Sequence, residues 1–351
     1  MDEGTVRTVL VYMVANNSLG RYYFDEADLE EMRKGAVDGK LGNSRWLVYH
    51  HPYGEAPRLK ELMEDGTFVT LREYSEGSQS VTIDRMKEVM DDTRFLAPAK
   101  DYGLVLWSHA TGWLQNGVTE SRSKLRAFGD DGGRYMNITS LAQALEGQNL
   151  SFIYADCCYM GCVEVAYQLR DCARYFVASA AELPAAGMNY SVNMECLTGQ
   201  NLDLIGSARN TYEMYAKDNS TRPNQSWCTM SVVDLSMMDE LSNITAEVYR
   251  TGEFPHSLNP QTFTAGVNYY SDLAQFVENV TPDNTLLSRW NNIFSKTVLY
   301  EAATPYIIGG VEVHTHCGLT TFILNSTTDS DTRNYRQLDW YADVARFQPL
   351  P

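Results

Sequence analysis

Residues able to carry out acyl-transfer chemistry fall in two short stretches of this chain. One reads Tyr154-Ala155-Asp156-Cys157-Cys158, with Gly161 just beyond; the other reads Leu106-Trp107-Ser108-His109-Ala110-Thr111-Gly112. A cysteine attacks a carbonyl as its thiolate. A nearby imidazole can accept the thiol proton, pair with the thiolate and later protonate a leaving amine. The developing oxyanion needs fixed N–H donors, and the backbone N–H groups of Cys158 and Ala110 are the candidates. These residues alone leave open which thiol attacks. Alternation along a strand points Cys157 and Cys158 to different sides, and free cysteines are commonly small buried hydrophobes.

The elements that must position these groups are legible around them. Phe152 to Ala155 is an apolar run of strand length and composition. After the turn, Val163, Ala166, Tyr167 and Arg170 recur at helical spacing, with Glu164 facing the other way. A thiol at a strand end beside a helix N-terminus is expected to have its thiolate stabilised by free N–H groups. Leu104 to Trp107 is a second short strand ending at His109. The 49 residues from His109 to Cys158 leave room for one crossover helix, expected over Ile138 to Leu145 with Asn137 or Thr139 as its N-cap. If both strands lie in one parallel sheet, His109 and Cys158 emerge on the same carboxyl edge, where ligands bind in open α/β sheets.

Further strands are expected over Thr8 to Ala15, Trp46 to Tyr49, Tyr175 to Ser179 and Cys228 to Val233, and helices over Phe24 to Lys34, Ile83 to Met90, Leu204 to Tyr215, Met237 to Tyr249 and Leu286 to Leu299. Leu59 to Met63 and Thr67 to Leu71 read as an edge hairpin, and Ile307 to His314 with Leu319 to Leu324 as a β pair. His50-His51 reads as an exposed turn pair, and His314 and His316 as rim residues. The βαβ order implies an α/β fold with a mostly parallel sheet.

Composition removes several function classes. A net charge of −17 argues against nucleic-acid or anionic-membrane partners, and no apolar run is long enough to span a bilayer. Seven cysteines, three of them crowded at Cys157, Cys158 and Cys162, suit neither a disulfide framework nor zinc-ligand spacing. Asp130-Asp131 could bind calcium, but no EF-hand-like spacing supports it, so no cofactor is required. Met1-Asp2-Glu3 has neither the basic start nor the apolar core of a signal peptide; the abrupt start would also suit a chain whose leader was removed.

Taken together, strand–His–small–small–Gly–Trp and strand–Asp–x–Cys–x–Met–Gly–x–Val–Glu–Val–Ala–Tyr resemble the clostripain family of cysteine peptidases. Asp156, Cys158, Met160, Gly161 and Val163 to Tyr167 carry the second motif; His109, Gly112 and Trp113 carry the first. Weaker matches lie at Tyr12-Met13, Asn17-Ser18-Leu19, Tyr270-Ser271-Asp272-Leu273 and His316-Cys317-Gly318-Leu319. The resemblance implies a caspase-like α/β/α sandwich, with residues 1–235 as the catalytic domain and 236–351 as an α+β subdomain packed on it. It implies Cys158, not Cys157, as nucleophile with His109 as its partner. Relatives commonly have Gly where this chain has Ala110. Asp156 would hold a P1 Arg or Lys, and Glu182 is the only acid in the following loop that could join it. Relatives mature by cutting themselves after a basic residue between the two motifs, so Arg122, Lys124 or Arg126, within the polar stretch 114–134, would be such a site. Protein or peptide substrates, a monomeric state and an exported bacterial location are the matching expectations. The alternative is a weak or inactive relative serving as a peptide-binding module.

Overall fold

In the computed structural model the described residues are 4–75, 77, 79–114, 127–222, 225–255, 258–264, 269–324 and 330–348. Nine strands form one sheet: β1 (Arg7–Val14), β2 (Arg45–His51), β3 (Arg58–Leu62), β4 (Phe68–Glu73), β5 (Asp101–Trp107), β6 (Leu150–Asp156), β7 (Ala173–Ala178), β8 (Thr229–Asp234) and β9 (Val298–Ala303). Their order is β9-β8-β7-β6-β5-β1-β2-β3-β4. The five central strands, β7-β6-β5-β1-β2, pair in parallel, and an antiparallel pair extends each edge.

The central strands are apolar throughout because both of their faces are covered. In β1, Val9, Val11 and Met13 join one core layer, while Leu10, Tyr12 and Val14 join the other. On the first face lie helices Phe24–Val37, Tyr190–Thr198 and Leu204–Asn219, contributing Leu29, Met32, Met194 and Ala208. The opposite face carries helices Ile83–Leu96, Ile138–Leu145, Val163–Gln168 and Met238–Thr251. Thr82 caps the first of these four by accepting from the Arg85 N–H. The result is an α/β/α sandwich whose last strand, β9, comes from beyond residue 235. Among the described residues no helix is long and apolar enough to cross a membrane.

Two local expectations give way. The segment after Tyr306 does not pair with Leu319 to Leu324: Tyr306–Ile307 turns back on Val311–Glu312 through Gly309 and Gly310, both at positive φ. Thr320–Thr321 pairs instead with Ser271–Asp272. Asp272 explains this choice, since one carboxylate oxygen accepts from the Gln275 N–H at 2.9 Å, capping the helix Leu273–Val280, and the other accepts from the Cys317 N–H at 2.8 Å. The cap thereby holds the later strand in place.

Glu164 does not face outward. It is fully buried, with Thr321, Phe322 and Tyr335 meeting it on that side of its helix. Its Oε1 accepts from Thr321 Oγ1 (2.9 Å), the Phe322 N–H (2.9 Å) and the Tyr335 hydroxyl (2.8 Å). One carboxylate thus fastens the C-terminal segment to the helix that follows the cysteine turn. Glu164→Ala would leave three buried donors unpartnered and is expected to lower stability by roughly 3 kcal/mol or more. Glu164→Gln keeps the acceptor oxygen and should lose roughly 1 kcal/mol. Urea unfolding followed by tryptophan fluorescence checks both values.

Candidate active site

The site rests on the pairing of β5 with β6. Trp107, the last residue of β5, stands opposite Asp156, the last residue of β6. Two residues further along each chain come His109 and Cys158. Both line one cleft of about 100 Å³, together with Asp156, Glu182, Leu183 and Gly187. His314 and His316 do not line it.

His109 is fixed from several sides. The neighbouring Ser108 hydroxyl donates to the Val14 carbonyl at 2.8 Å and accepts from the Asp130 N–H at 3.1 Å. The His109 carbonyl accepts from the Gly129 N–H at 2.9 Å, and its ring Nε2 lies 2.7 Å from Ser18 Oγ. Ser18 begins a short helical turn, Ser18–Arg21, which Asn17 caps by accepting from the Leu19 N–H; the Asn17 amide also donates to Val14 and Asp130 carbonyls, each at 2.8 Å. The triplet Asn17-Ser18-Leu19, weak as a sequence signal, therefore braces the imidazole. The bridge between Ala110 and Phe128 uses the carbonyl of His109 and the N–H of Thr111. Along an extended segment successive N–H groups alternate in direction, so the Ala110 N–H points to the opposite side.

Around the cysteine the helix expectation fails. Helix Val163–Gln168 starts five residues after Cys158, with Cys162 at its N-cap position, so its free N–H groups belong to a later point of the chain. The amide that meets Cys158 Sγ is that of Leu183, at 3.4 Å, in the loop after β7. Cys158 keeps part of its surface on the cleft, but the protein encloses the sulfur closely. Burial, and then the nearby Glu182 charge, push its thiol up to about 12 against the opposing pull of the Leu183 N–H. Burial therefore opposes formation of the thiolate at this sulfur. Cys157 is buried in the opposite core layer, and burial pushes its thiol up as well.

The two turns interlock. Tyr159, next to Cys158, adopts φ 59°, and its N–H donates to the Ala181 carbonyl at 3.0 Å. Gly112, three residues after His109, sits at φ 60°, and a Cβ there would stand 2.3 Å from the Tyr159 carbonyl oxygen. Only glycine suits both conditions. Tyr270 stacks on Tyr159 with ring centroids 4.7 Å apart, and its hydroxyl donates to the Thr111 carbonyl.

Beneath the cleft lies a group of acids. Asp156 is 5% exposed; its oxygens accept from the Met188 N–H and the Tyr190 hydroxyl, each at 3.0 Å. A Cβ on Gly187 would press on this carboxylate at 2.6 Å, so the loop can close over Asp156 only with glycine there. Burial raises Asp156 to about 7, offset in part by its two donors. Glu182 lines the cleft, and burial raises its carboxyl while the Tyr159 hydroxyl opposes the shift. Asp28, unsuspected from sequence, accepts from Trp107 Nε1 at 2.6 Å and is raised to about 9 by burial and then by Asp156. Its signal was present, since Asp25, Asp28, Leu29, Met32 and Ala36 share the buried face of helix Phe24–Val37. Two aspartates on a buried stripe require partners.

His50 and His51 are not an exposed pair. His50 Nε2 lies 2.8 Å from Asp25 Oδ2, and His51 Nδ1 lies 2.6 Å from Ser80 Oγ, both residues being buried by the elements that cover the end of β2. Asp25, Glu26 and His50 bring ligand atoms within 4.8 Å of one another. The Lys60 ammonium lies 3.1 Å from His50 Nδ1, which places the ring proton on Nε2 facing Asp25. Arg122, Lys124 and Arg126 lie outside the described residues.

The chain matches the clostripain family, Peptidase_C11, over residues 11–336. No curated protein matches it. Among solved structures it is similar to an inactive zymogen C11 protease from Parabacteroides distasonis, with 27% identity, a TM-score of 0.86 and coverage of 98% of this chain and 99% of the other. A secreted C11 cysteine protease from Bacteroides thetaiotaomicron, solved in complex with an irreversible peptide inhibitor, is 30% identical, with a TM-score of 0.86 and coverage of 97% and 99%. A clostripain from Bacteroides thetaiotaomicron ATCC 29148, in complex with the peptide inhibitor BTN-VLTK-AOMK, is 28% identical over 61% of this chain and 97% of its own, with a TM-score of 0.54. With two motif turns at the ends of paired parallel strands, and this match over nearly its whole length, the chain belongs to the clostripain family of cysteine peptidases.

Proposed function

We propose that this peptidase works through Cys158 and His109 and cuts peptides after Arg or Lys. The observation that carries the reading is the β5–β6 register, which sets a thiol, an imidazole and the buried Asp156 carboxylate around one cleft. His109, released from Ser18, takes the Cys158 proton as the thiol attacks the scissile carbonyl. The oxyanion is held by the N–H groups of Cys158 and Ala110. His109 then protonates the leaving amine, and water hydrolyses the acyl-thioenzyme with His109 as base.

Asp156 supplies the carboxylate for a P1 cation, Asp28 holds the Trp107 wall through its indole N–H, and Glu182 stands beside the cleft. The clostripain whose inhibitor peptide ends in lysine supports a basic P1 residue. A relative solved as an inactive zymogen supports self-processing within 114–134, at Arg122, Lys124 or Arg126. Export from a bacterium accords with the relative described as secreted, and the working unit is taken as a monomer. The proposed steps require no cofactor. Asp131 meets the Asn16 amide and the Ser80 N–H, and Asp130 the Gly133 N–H, at 2.7–2.8 Å. Such donors brace a turn.

One observation favours the binding-module alternative: the His109 ring engages Ser18, while burial raises the Cys158 thiol. Intact mass after exposure to an arginyl peptide chloromethyl ketone separates the two readings. One adduct is expected, absent in Cys158→Ala, and His109→Ala should lower kcat/KM by about 10²–10⁴. An unlabelled, folded wild type would favour the binding module. Matched fluorogenic peptides test P1, and arginine no better than leucine would remove the basic preference. Because burial holds Asp156 near 7, its negative charge develops as pH rises through that value. An arginine-ended peptide should therefore bind Cys158→Ala severalfold more tightly at pH 8 than at pH 6. In calorimetry, adding Asp156→Asn should abolish that difference.

A further inference from the structure

The proposed roles of His109 and Cys158 give the substrate a direction, and the inference that follows rests on them. His109 hands its proton to the departing amine, so that nitrogen lies on the His109 side of Cys158. The acid-lined cleft holds both His109 and Cys158 and reaches from them to the loop carrying Leu183 and Gly187. Residues C-terminal to the scissile bond must therefore continue past His109, and beyond β5 the sheet order runs to β1 and then β2.

A second cavity, of about 500 Å³, opens at the ends of those two strands. Asn16, His51, Glu55, Gln79, Asp131 and Arg134 line it. It is joined to the catalytic cleft through four consecutive residues: Asn16 lines the cavity, Asn17 and Ser18 brace His109, and Leu19 lines the cleft. Its wall is built rather than loose. Asn16 donates to Asp131 Oδ1 at 2.8 Å, its carbonyl accepts from the Gly132 N–H at 2.9 Å, and its side-chain oxygen accepts from the Gly54 N–H at 3.1 Å. The second Asp131 oxygen accepts from the Ser80 N–H at 2.7 Å.

Strand spacing sets the reach. Neighbouring strands lie about 4.8 Å apart, so β1 and β2 end roughly 10 and 14 Å from the cysteine strand. An extended peptide advances about 3.3 Å per residue, which brings the third and fourth residues after the cut to the cavity. Its only apolar side chain is that of Ala56, and its exposed charges, Glu55 and Arg134, are of opposite sign. We propose that this cavity is the leaving-side subsite of the peptidase, taking polar side chains at the third and fourth positions after the scissile bond.

Two substrates with the same arginine-ended sequence test this. One ends in a coumarin amide, with nothing beyond the cut; the other is an internally quenched peptide running five polar residues past it. Ala56→Trp, which fills the cavity, should lower the ratio of extended to coumarin kcat/KM fivefold or more. The double variant Glu55→Ala/Arg134→Ala should lower it at least twofold and serves as the test if Ala56→Trp fails to fold. Shortening the extended peptide to two residues past the cut should erase either effect. An unchanged ratio in the folded variants overturns the subsite. If wild type cleaves neither substrate, the peptidase reading fails instead. Calorimetry on Cys158→Ala with the long and the shortened peptide then still decides: equal affinities overturn the subsite, and a fivefold advantage for the long peptide upholds it.

Discussion

The ladder between two parallel strands governs this molecule. Hydrogen bonding between β5 and β6 fixes Trp107 opposite Asp156, and the backbone then has two residues on each side in which to deliver an imidazole and a thiol. A slip of one residue would invert every side chain of a strand between the two core layers. Burial of Gly103 to Trp107 and of Phe152 to Asp156 on both faces opposes that, so the packing of apolar residues away from the cleft fixes the geometry inside it. The strand that presents the thiol also presents the acid two residues earlier. Attack and recognition are thus indexed to the same ladder.

What surrounds the ladder comes from distant parts of the chain. Asn17 and Ser18 follow β1, Leu183 and Gly187 follow β7, and Asp28 comes from the first long helix. Tyr270 closes the far side by stacking on Tyr159, and Thr321, Phe322 and Tyr335 do so through Glu164. Gly112 and Tyr159 approach so closely that a Cβ at Gly112 would strike the Tyr159 carbonyl oxygen.

Legibility in the sequence followed the range of the interactions. β1, β5 and β6 announce themselves because strands covered on both faces become continuous apolar runs, and the residues at their ends inherit that clarity. The 58–73 hairpin was equally plain, with its turn signal at Glu64-Asp65-Gly66. The thiolate-stabilising helix was misjudged because the turn from Cys157 to Cys162 inserts enough chain to carry the helix end past the sulfur. Glu164 and His50-His51 looked exposed because their partners, Tyr335 and Ser80 among them, are far away in sequence and nothing local reveals them. Asp28 lay on a readable buried stripe, yet only the fold shows that Trp107 and Asp156 wait beneath it.

The enclosure of the sulfurs has a bearing on survival among oxidants. All seven cysteines are unpaired, and burial pushes every one of their thiols upward. Peroxide and mixed disulfides react with the thiolate. With burial raising the Cys158 thiol, the thiolate is its minor form near neutral pH. Stray electrophiles therefore find little to attack, and the sulfur becomes nucleophilic chiefly while a substrate occupies the cleft and His109 takes its proton. Such a protein can share its surroundings with reactive oxygen and small thiols without a reducing system to restore it.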